Sequence, residues 1–160
     1  MSEQSLSQSA RKVQATLKAL GLPCQVVELP ASTRTAPEAA QAVGCQVGQI
    51  VKSLIFRTQT SHKPVLLLVS GSNRVDERKL AALIGEPILK AEADFVRDQT
   101  GFAIGGVPPV GHSHPLPAYI DEDLLQYAEV WAAAGTPNAV FKLDPRELPR
   151  ITGGRIIKIN

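Results

Sequence analysis

Two neighbouring segments, 49–57 (QIVKSLIFR) and 64–69 (PVLLLV), constrain the fold of this chain more than anything else in it. The second contains the longest apolar run, Val65 to Val69, which has the length of a buried strand. It falls far short of the ~20 apolar residues that a membrane span needs. The first alternates, with Ile50, Lys52, Leu54 and Phe56 on one face and Val51, Ser53 and Ile55 on the other. The face carrying Ile50, Leu54 and Phe56 is expected to be the buried one, so Lys52 stands out on it. With an aromatic share of only 4%, the core around this strand pair has to be built from Val, Ile, Leu and Ala.

The remaining segments read as short elements. Leu6, Val13, Leu17 and Leu20 fall on helical spacing, and Gly21 with Pro23 ends that helix. A short strand is expected over 25–29. Thr35-Ala36-Pro37-Glu38 has the form of a capping box with Pro in the first turn, which opens a helix ending near Gly44. Asp76 caps a helix that stops at Gly85. A strand over 87–89 and a helix over 92–100 follow, then strands over 102–104, 118–120, 128–133 and 140–143. A last short helix opens at Asp144, and residues 156–159 close the chain. Many strands and few short helices, without regular βαβ alternation, predict an α+β fold: a mixed curved sheet or partial barrel with surrounding short helices. No repeat, linker or low-complexity block divides the sequence, so residues 1–160 are read as one domain.

Hydrophobic residues make up 44% of the chain and charged residues 20%, which excludes a disordered tail or a collagen. A net charge of +2 is too small for a protein that wraps a nucleic acid through charge alone, although partial contact stays open. The N-terminus has no basic patch followed by an apolar run, and two cysteines, Cys24 and Cys45, do not make a secreted framework. These features predict a cytoplasmic protein with no membrane and no DNA among its partners.

Chemistry could sit in three places. Lys52 on an apolar strand face needs a paired anion, a lowered pKa or a lip of solvent; alternatively it guards an edge strand against aggregation. The stretch from Gly105 and Gly106 through Val107, Pro108, Pro109 and Val110 to Gly111 and His112 could aim unpaired N–H groups at a carbonyl oxygen or phosphate, or could be a rigid connection. Arg74, Arg78 and Lys79 could meet an RNA backbone or be a solvated surface, with Arg74 and Arg78 spaced to share a helix face. His112 and His114 have no third metal ligand at convincing spacing, and no Gly-x-Ser-x-Gly elbow is present, so neither a metal nor a serine triad is expected.

Lys52 within residues 50–56 (IVKSLIF), together with residues 101–112 (GFAIGGVPPVGH), resembles the YbaK/ProX family. Its members are free-standing relatives of the editing domain inserted in bacterial prolyl-tRNA synthetases. The resemblance runs from about Ala36 onward and keeps the order of the parts: lysine strand, second strand, Ser-Gly loop with a helix, then the glycine-proline loop. It implies the mixed α+β fold and trans hydrolysis of mischarged aminoacyl-tRNA, often tRNA for proline. It also implies that Lys52 is the functional lysine and that Gly105 to Pro109 form the family's Gly-x-x-x-Pro loop. This chain has Pro108 where some relatives carry a small hydroxyl residue, and residues 134–138 (AGTPN) differ from the cysteine-specific form. The amino acid removed therefore stays open among alanine, cysteine, serine, threonine or an unusual one.

No side chain is an obvious nucleophile, so the expected mechanism uses water oriented by the substrate's own ribose hydroxyl or amino group. Lys52 would anchor the phosphate or carbonyl end, and the N–H groups of Gly105, Gly106 and Val107 would hold the ester oxygen or aminoacyl group. His112 would line the pocket or bond the loop backbone. No cofactor is expected. The partners expected are the acceptor end of aminoacyl-tRNA and prolyl-tRNA synthetase. Two rival readings use the same pocket: a non-catalytic module that binds tRNA or a synthetase, and a hydrolase of small esters or thioesters.

Overall fold

A computed structural model of the chain describes residues 5–160. Helix α1 (Gln8–Ala19) starts where the Ser7 hydroxyl accepts from the Ala10 N–H, and it buries Ala10, Val13 and Leu17 along one stripe. Its buried Gln14 is satisfied at both ends, donating to the Cys24 carbonyl at 2.9 Å and accepting from the Val26 N–H at 2.8 Å. Strand β1 is only Val27–Glu28. Helix α2 (Ala36–Val43) is capped by Thr35, as its sequence predicts, and ends on Gly44 in the left-handed conformation.

Strands β2 (Ile50–Thr58) and β3 (Pro64–Ser70) form a long antiparallel ladder, pairing from Val51↔Ser70 to Arg57↔Pro64. Helix α3 (Glu77–Ile84), capped by Asp76, leads to β4 (Ile88–Lys90) and α4 (Ala93–Thr100). After a long irregular stretch come β5 (Ala118–Asp121), β6 (Val130–Ala133) and β7 (Ala139–Leu143). Helix α5 (Leu148–Thr152) and β8 (Arg155–Ile157) follow. The strands make one open mixed sheet in the order β1-β7-β6-β2-β3-β5-β8, with β4 also paired to β2. Of the two forms expected, a curved sheet or a partial barrel, the mixed sheet is found, and it is open.

Both sheet faces are covered. One carries the larger core, where α1 packs Val13 and Leu17 near Val51, Ile55, Leu66, Leu68 and Phe141. The other carries Phe56, Val65, Leu67 and Val69 under Leu80 of α3. Ile50 enters a third cluster with Ala36, Ala39 and Ala40 of α2. The expectation that only one face of β2 is buried is therefore corrected: Val51 and Ile55 are as buried as Ile50 and Phe56. Since β2 lies inside the sheet, between β6 and β3, Lys52 is no guard of an outermost strand.

One feature of β2 positions the site. Its ladder to β6 consists of Ile50↔Trp131 and Val51↔Ala132, and its ladder to β4 begins at Phe56↔Lys90. Between them the same edge of β2 carries no partner strand.

The strand expected over 102–104 does not form. Gly101 and Gly105, at φ of 82° and 94°, bracket the three residues with left-handed turns, which stop them from extending into a ladder. Phe102 is instead a plug, 3% exposed, with the Lys12 ammonium 4.8 Å from its ring centroid.

Candidate active site

The unpartnered stretch of β2 opens into a cavity of about 490 Å³. Its floor is apolar, from Ile50, Val51, Val107, Ala132 and Val140, and Trp131 and α2 stand beside it. Arg34, Lys52 and Arg74 line it, with no carboxylate among its lining residues. The cavity thus combines an apolar surface with three cationic side chains.

Lys52 is half-buried, and its ammonium donates to the Asn73 carbonyl at 2.5 Å. Burial lowers its pKa from the ordinary lysine value, and the nearby Arg74 charge lowers it further, while Asp121 pulls the other way. The loop bearing that carbonyl is fixed in turn. Asn73 Nδ2 donates to Asp121 at 2.9 Å and Asp123 at 2.7 Å, and the fully buried Asp121 also accepts the Ser70 N–H at 2.9 Å. Gly71 turns beneath α2, where an added Cβ would come within 2.3 Å of the Val47 carbonyl oxygen.

The glycine-proline loop divides. Gly105 and Val107 line the cavity, whereas Gly106, Pro108, Pro109, Gly111 and His112 do not. Gly106 is a packing residue: an added Cβ would lie 2.9 Å from the backbone of Gly135 and Thr136. Its N–H donates to the Ala103 carbonyl at 3.0 Å and its own carbonyl accepts from the Gly135 N–H at 2.9 Å. The expected trio of free amides is thus corrected to two, Gly105 and Val107, which make no hydrogen bond within the described protein. Thr33 ties a third loop to this wall, its hydroxyl donating to the Pro137 carbonyl at 2.8 Å. The Arg34 side chain then lies across Gly105, where a Cβ would meet its Cγ at 3.1 Å.

Of the two roles expected for His112, the structure shows the second. Its Nε2 bonds the Pro108 carbonyl at 2.7 Å, and the ring borders a separate hollow with Pro109, Gly111 and His114. The basic cluster also separates. Arg74 precedes α3 and joins the cavity, so it shares no helix face with Arg78. Lys79 points to another groove, where its ammonium donates to the Asn160 carbonyl at 3.2 Å. Burial raises the pKa of both cysteine thiols, which keeps them from thiolate chemistry. Arg34, Ser53, Asn73, Asp121 and Trp131 are site residues that sequence reasoning missed.

The architecture is that of a known group of proteins. A model of the aminoacyl-tRNA editing domain matches residues 30–151. The chain belongs to the aminoacyl-tRNA editing domain family. This bears out the resemblance read from Lys52 and the glycine-proline loop, and with it the expected editing fold. Among solved structures, the editing-domain chain is similar to one described as a candidate trans-editing enzyme for prolyl-tRNA synthetase. The two are 58% identical with a TM-score of 0.91, over 98% of this chain and 99% of the other. It is 30% identical to the uncharacterized protein YwhH of Bacillus subtilis (strain 168), over 82% of this chain and 83% of that one. It is 28% identical to EbsC of Enterococcus faecalis (strain ATCC 700802 / V583), named as a candidate Cys-tRNA(Pro)/Cys-tRNA(Cys) deacylase, over 78% of this chain and 76% of that one. Among the described residues, no helix is long and apolar enough to cross a membrane.

Proposed function

We propose that this editing domain, spanning residues 1–160, hydrolyses the ester of mischarged aminoacyl-tRNA in trans, on tRNA for proline carrying alanine, cysteine, serine or threonine. The observation that carries the reading is the cavity beside β2, where three cations and no carboxylate surround a small apolar floor. Those are the demands of a substrate with a phosphodiester at one end and a small side chain at the other. The relatives described as acting with prolyl-tRNA synthetase or on Cys-tRNA(Pro) support the choice of tRNA. The setting is the cytoplasm, with the tRNA acceptor end as substrate and prolyl-tRNA synthetase as the enzyme whose errors are corrected.

In this mechanism Lys52 supplies fixed positive charge to the substrate, pre-aimed by the Asn73 carbonyl. The amides of Gly105 and Val107, which lack protein partners, bind the ester oxygen as it becomes an oxyanion. No side chain attacks. Water does, oriented by the free ribose hydroxyl or the amino group of the substrate. The apolar floor, which includes Val51, Val107 and Val140, receives the amino-acid side chain.

The test is a panel of proline tRNAs charged with Ala, Cys, Ser or Thr, each incubated with wild type and with Lys52→Ala. Wild type is expected to release at least one amino acid, and the variant to be slower by roughly 10² or more, the scale of a lost preorganised charge or donor. A folded Lys52→Ala protein with normal deacylation refutes the mechanism. No release from any tRNA refutes the activity and leaves a binding module.

A further inference from the structure

Four large hydrophobic side chains are exposed among the described residues, and two of them, Leu83 at 39% and Ile156 at 42%, line one groove. This groove, of about 530 Å³, lies between α3 and β8 and shares no lining residue with the cavity beside β2. Val75 and Leu80 on the α3 side, with Ile157 and Ile159 opposite, extend its apolar surface. Single exposed apolar residues are ordinary, but two on one concave surface mark a place that a partner covers.

The groove follows a free sheet edge. β8 is the outermost strand, paired with β5 on one side only. Residues 155–159 line the groove without interruption. Neighbouring residues of a strand face opposite ways, so a groove that meets all of them runs along the edge rather than over one face. Among the described residues, no backbone hydrogen bond outside the β5 ladder reaches residues 155–157. The charge beside this edge has one sign. Lys79, Arg155 and Lys158 line the groove, all three exposed, and no Asp or Glu does. Lys79 donates to the Asn160 carbonyl at 3.2 Å, while Arg155 and Lys158 form no ion pair with a described residue.

We propose that this groove docks an acidic, extended segment of another protein, which adds a strand to the free edge of β8. The segment packs an apolar side chain against Leu83 and Ile156 and sets carboxylates against Lys79, Arg155 and Lys158. Charge complementarity selects this occupant over the others. A nucleic-acid backbone would meet the cations but leave the apolar side chains unmatched. A second copy of the chain would bring the same cations face to face, and cations on an edge strand discourage such pairing. An acidic strand answers the main-chain, apolar and charged parts of the groove together. Because the groove and the cavity have separate linings, a partner held at β8 leaves the cavity open to substrate. The inference stands apart from the editing reading.

The experiment selects binders of the full chain from a phage-displayed library of random twelve-residue peptides. Each selected peptide is then measured against wild type, Ile156→Asp and the double variant Arg155→Glu with Lys158→Glu. The expected winners carry Asp and Glu among alternating apolar residues and bind either variant at least roughly tenfold more weakly than wild type. Both variants are expected to keep the wild-type Tm, because the side chains changed are exposed, and to leave any deacylation unchanged, because none lines the cavity. No enriched peptide, or peptides that bind the charge-reversed variant as tightly as wild type, overturns the proposal. A wild-type dimer in sedimentation velocity that Ile156→Asp dissolves overturns it in favour of a second copy. Displacement of the selected peptides by uncharged tRNA overturns it in favour of RNA.

Discussion

Lys52 is aimed by Asn73: the ammonium donates to that residue's backbone carbonyl across 2.5 Å, with no carboxylate in contact. A neutral acceptor orients the charge without cancelling it, which keeps the cation available to a substrate. The arrangement costs Lys52 some of its basicity, since burial and Arg74 both lower its pKa and Asp121 only partly opposes them.

The pH dependence of hydrolysis follows from that balance. Lys52 has to be protonated to act, so the alkaline limb of the kcat/KM profile reports its loss of a proton. Arg74→Gln removes a positive neighbour, which raises the Lys52 pKa. The limb is then expected to move to higher pH, even as KM rises from the lost cation. A limb that stays in place or moves to lower pH contradicts the electrostatic coupling.

Salt dependence separates the cations of the cavity from those outside it. Each phosphate contact to a single strand contributes roughly −0.7 to the slope of log affinity against log salt. Arg34→Gln and Arg74→Gln are each expected to make the slope shallower by about that amount. Arg78→Gln and Lys79→Gln are expected to leave it unchanged, because neither residue lines the cavity. Titrations of KM or Kd between low and physiological salt check all four.

His112 makes folding sensitive to acid. Burial is the main reason its pKa lies below the ordinary 6.5; the bond to the Pro108 carbonyl raises it and the charge of Lys12 lowers it. The unfolded chain therefore takes up this proton first as pH falls below 6.5, and stability drops until the folded form titrates as well. His112→Gln has no such proton to take up, so its Tm is expected to fall less than that of wild type below that pH. Parallel Tm curves for the two proteins would show that another group is responsible.

Gly106→Ala tests the wall between two loops. Its Cβ would lie 2.9 Å from backbone atoms of Gly135 and Thr136, neither of which is the flexible end of a side chain. Overpacking of this kind typically costs about 1–3 kcal/mol. A lower Tm is expected, together with a loss of activity as Gly105 and Val107 shift. An unchanged Tm would mean that the loops part without cost.

The parts of this molecule legible in the sequence are those whose signals are local. Thr35 and Asp76 cap helices because a hydroxyl or carboxylate placed before the first turn has N–H groups to accept from. Lys52 stood out because a charge inside an apolar alternation demands an explanation. Arg34, Ser53, Asn73 and Trp131 gave no such signal, since a polar residue in a loop or strand looks the same whether it meets solvent or a cavity. Only the pairing of β2 with β6 and the tie from Thr33 to Pro137 bring them together. The plug at Phe102 gives no sequence signal, because three residues are too few for periodicity to tell an inserted side chain from a strand. The glycine-proline loop looks like one unit in the sequence, yet residues 106–110 are buried in the fold and only part of the loop reaches the cavity.

The break in pairing along β2 has a consequence for how such a protein can diversify. The chamber exists because pairing with β6 ends at Val51 and β4 ends beside Phe56, so its length is set by where pairing with two neighbours stops. Adding or removing a residue at the end of either neighbour would resize the chamber, while Lys52 and Asn73 stayed in the ladder and loop that hold them. Selectivity and chemistry are thus encoded in separable stretches of chain, and one can be rewritten without disturbing the other.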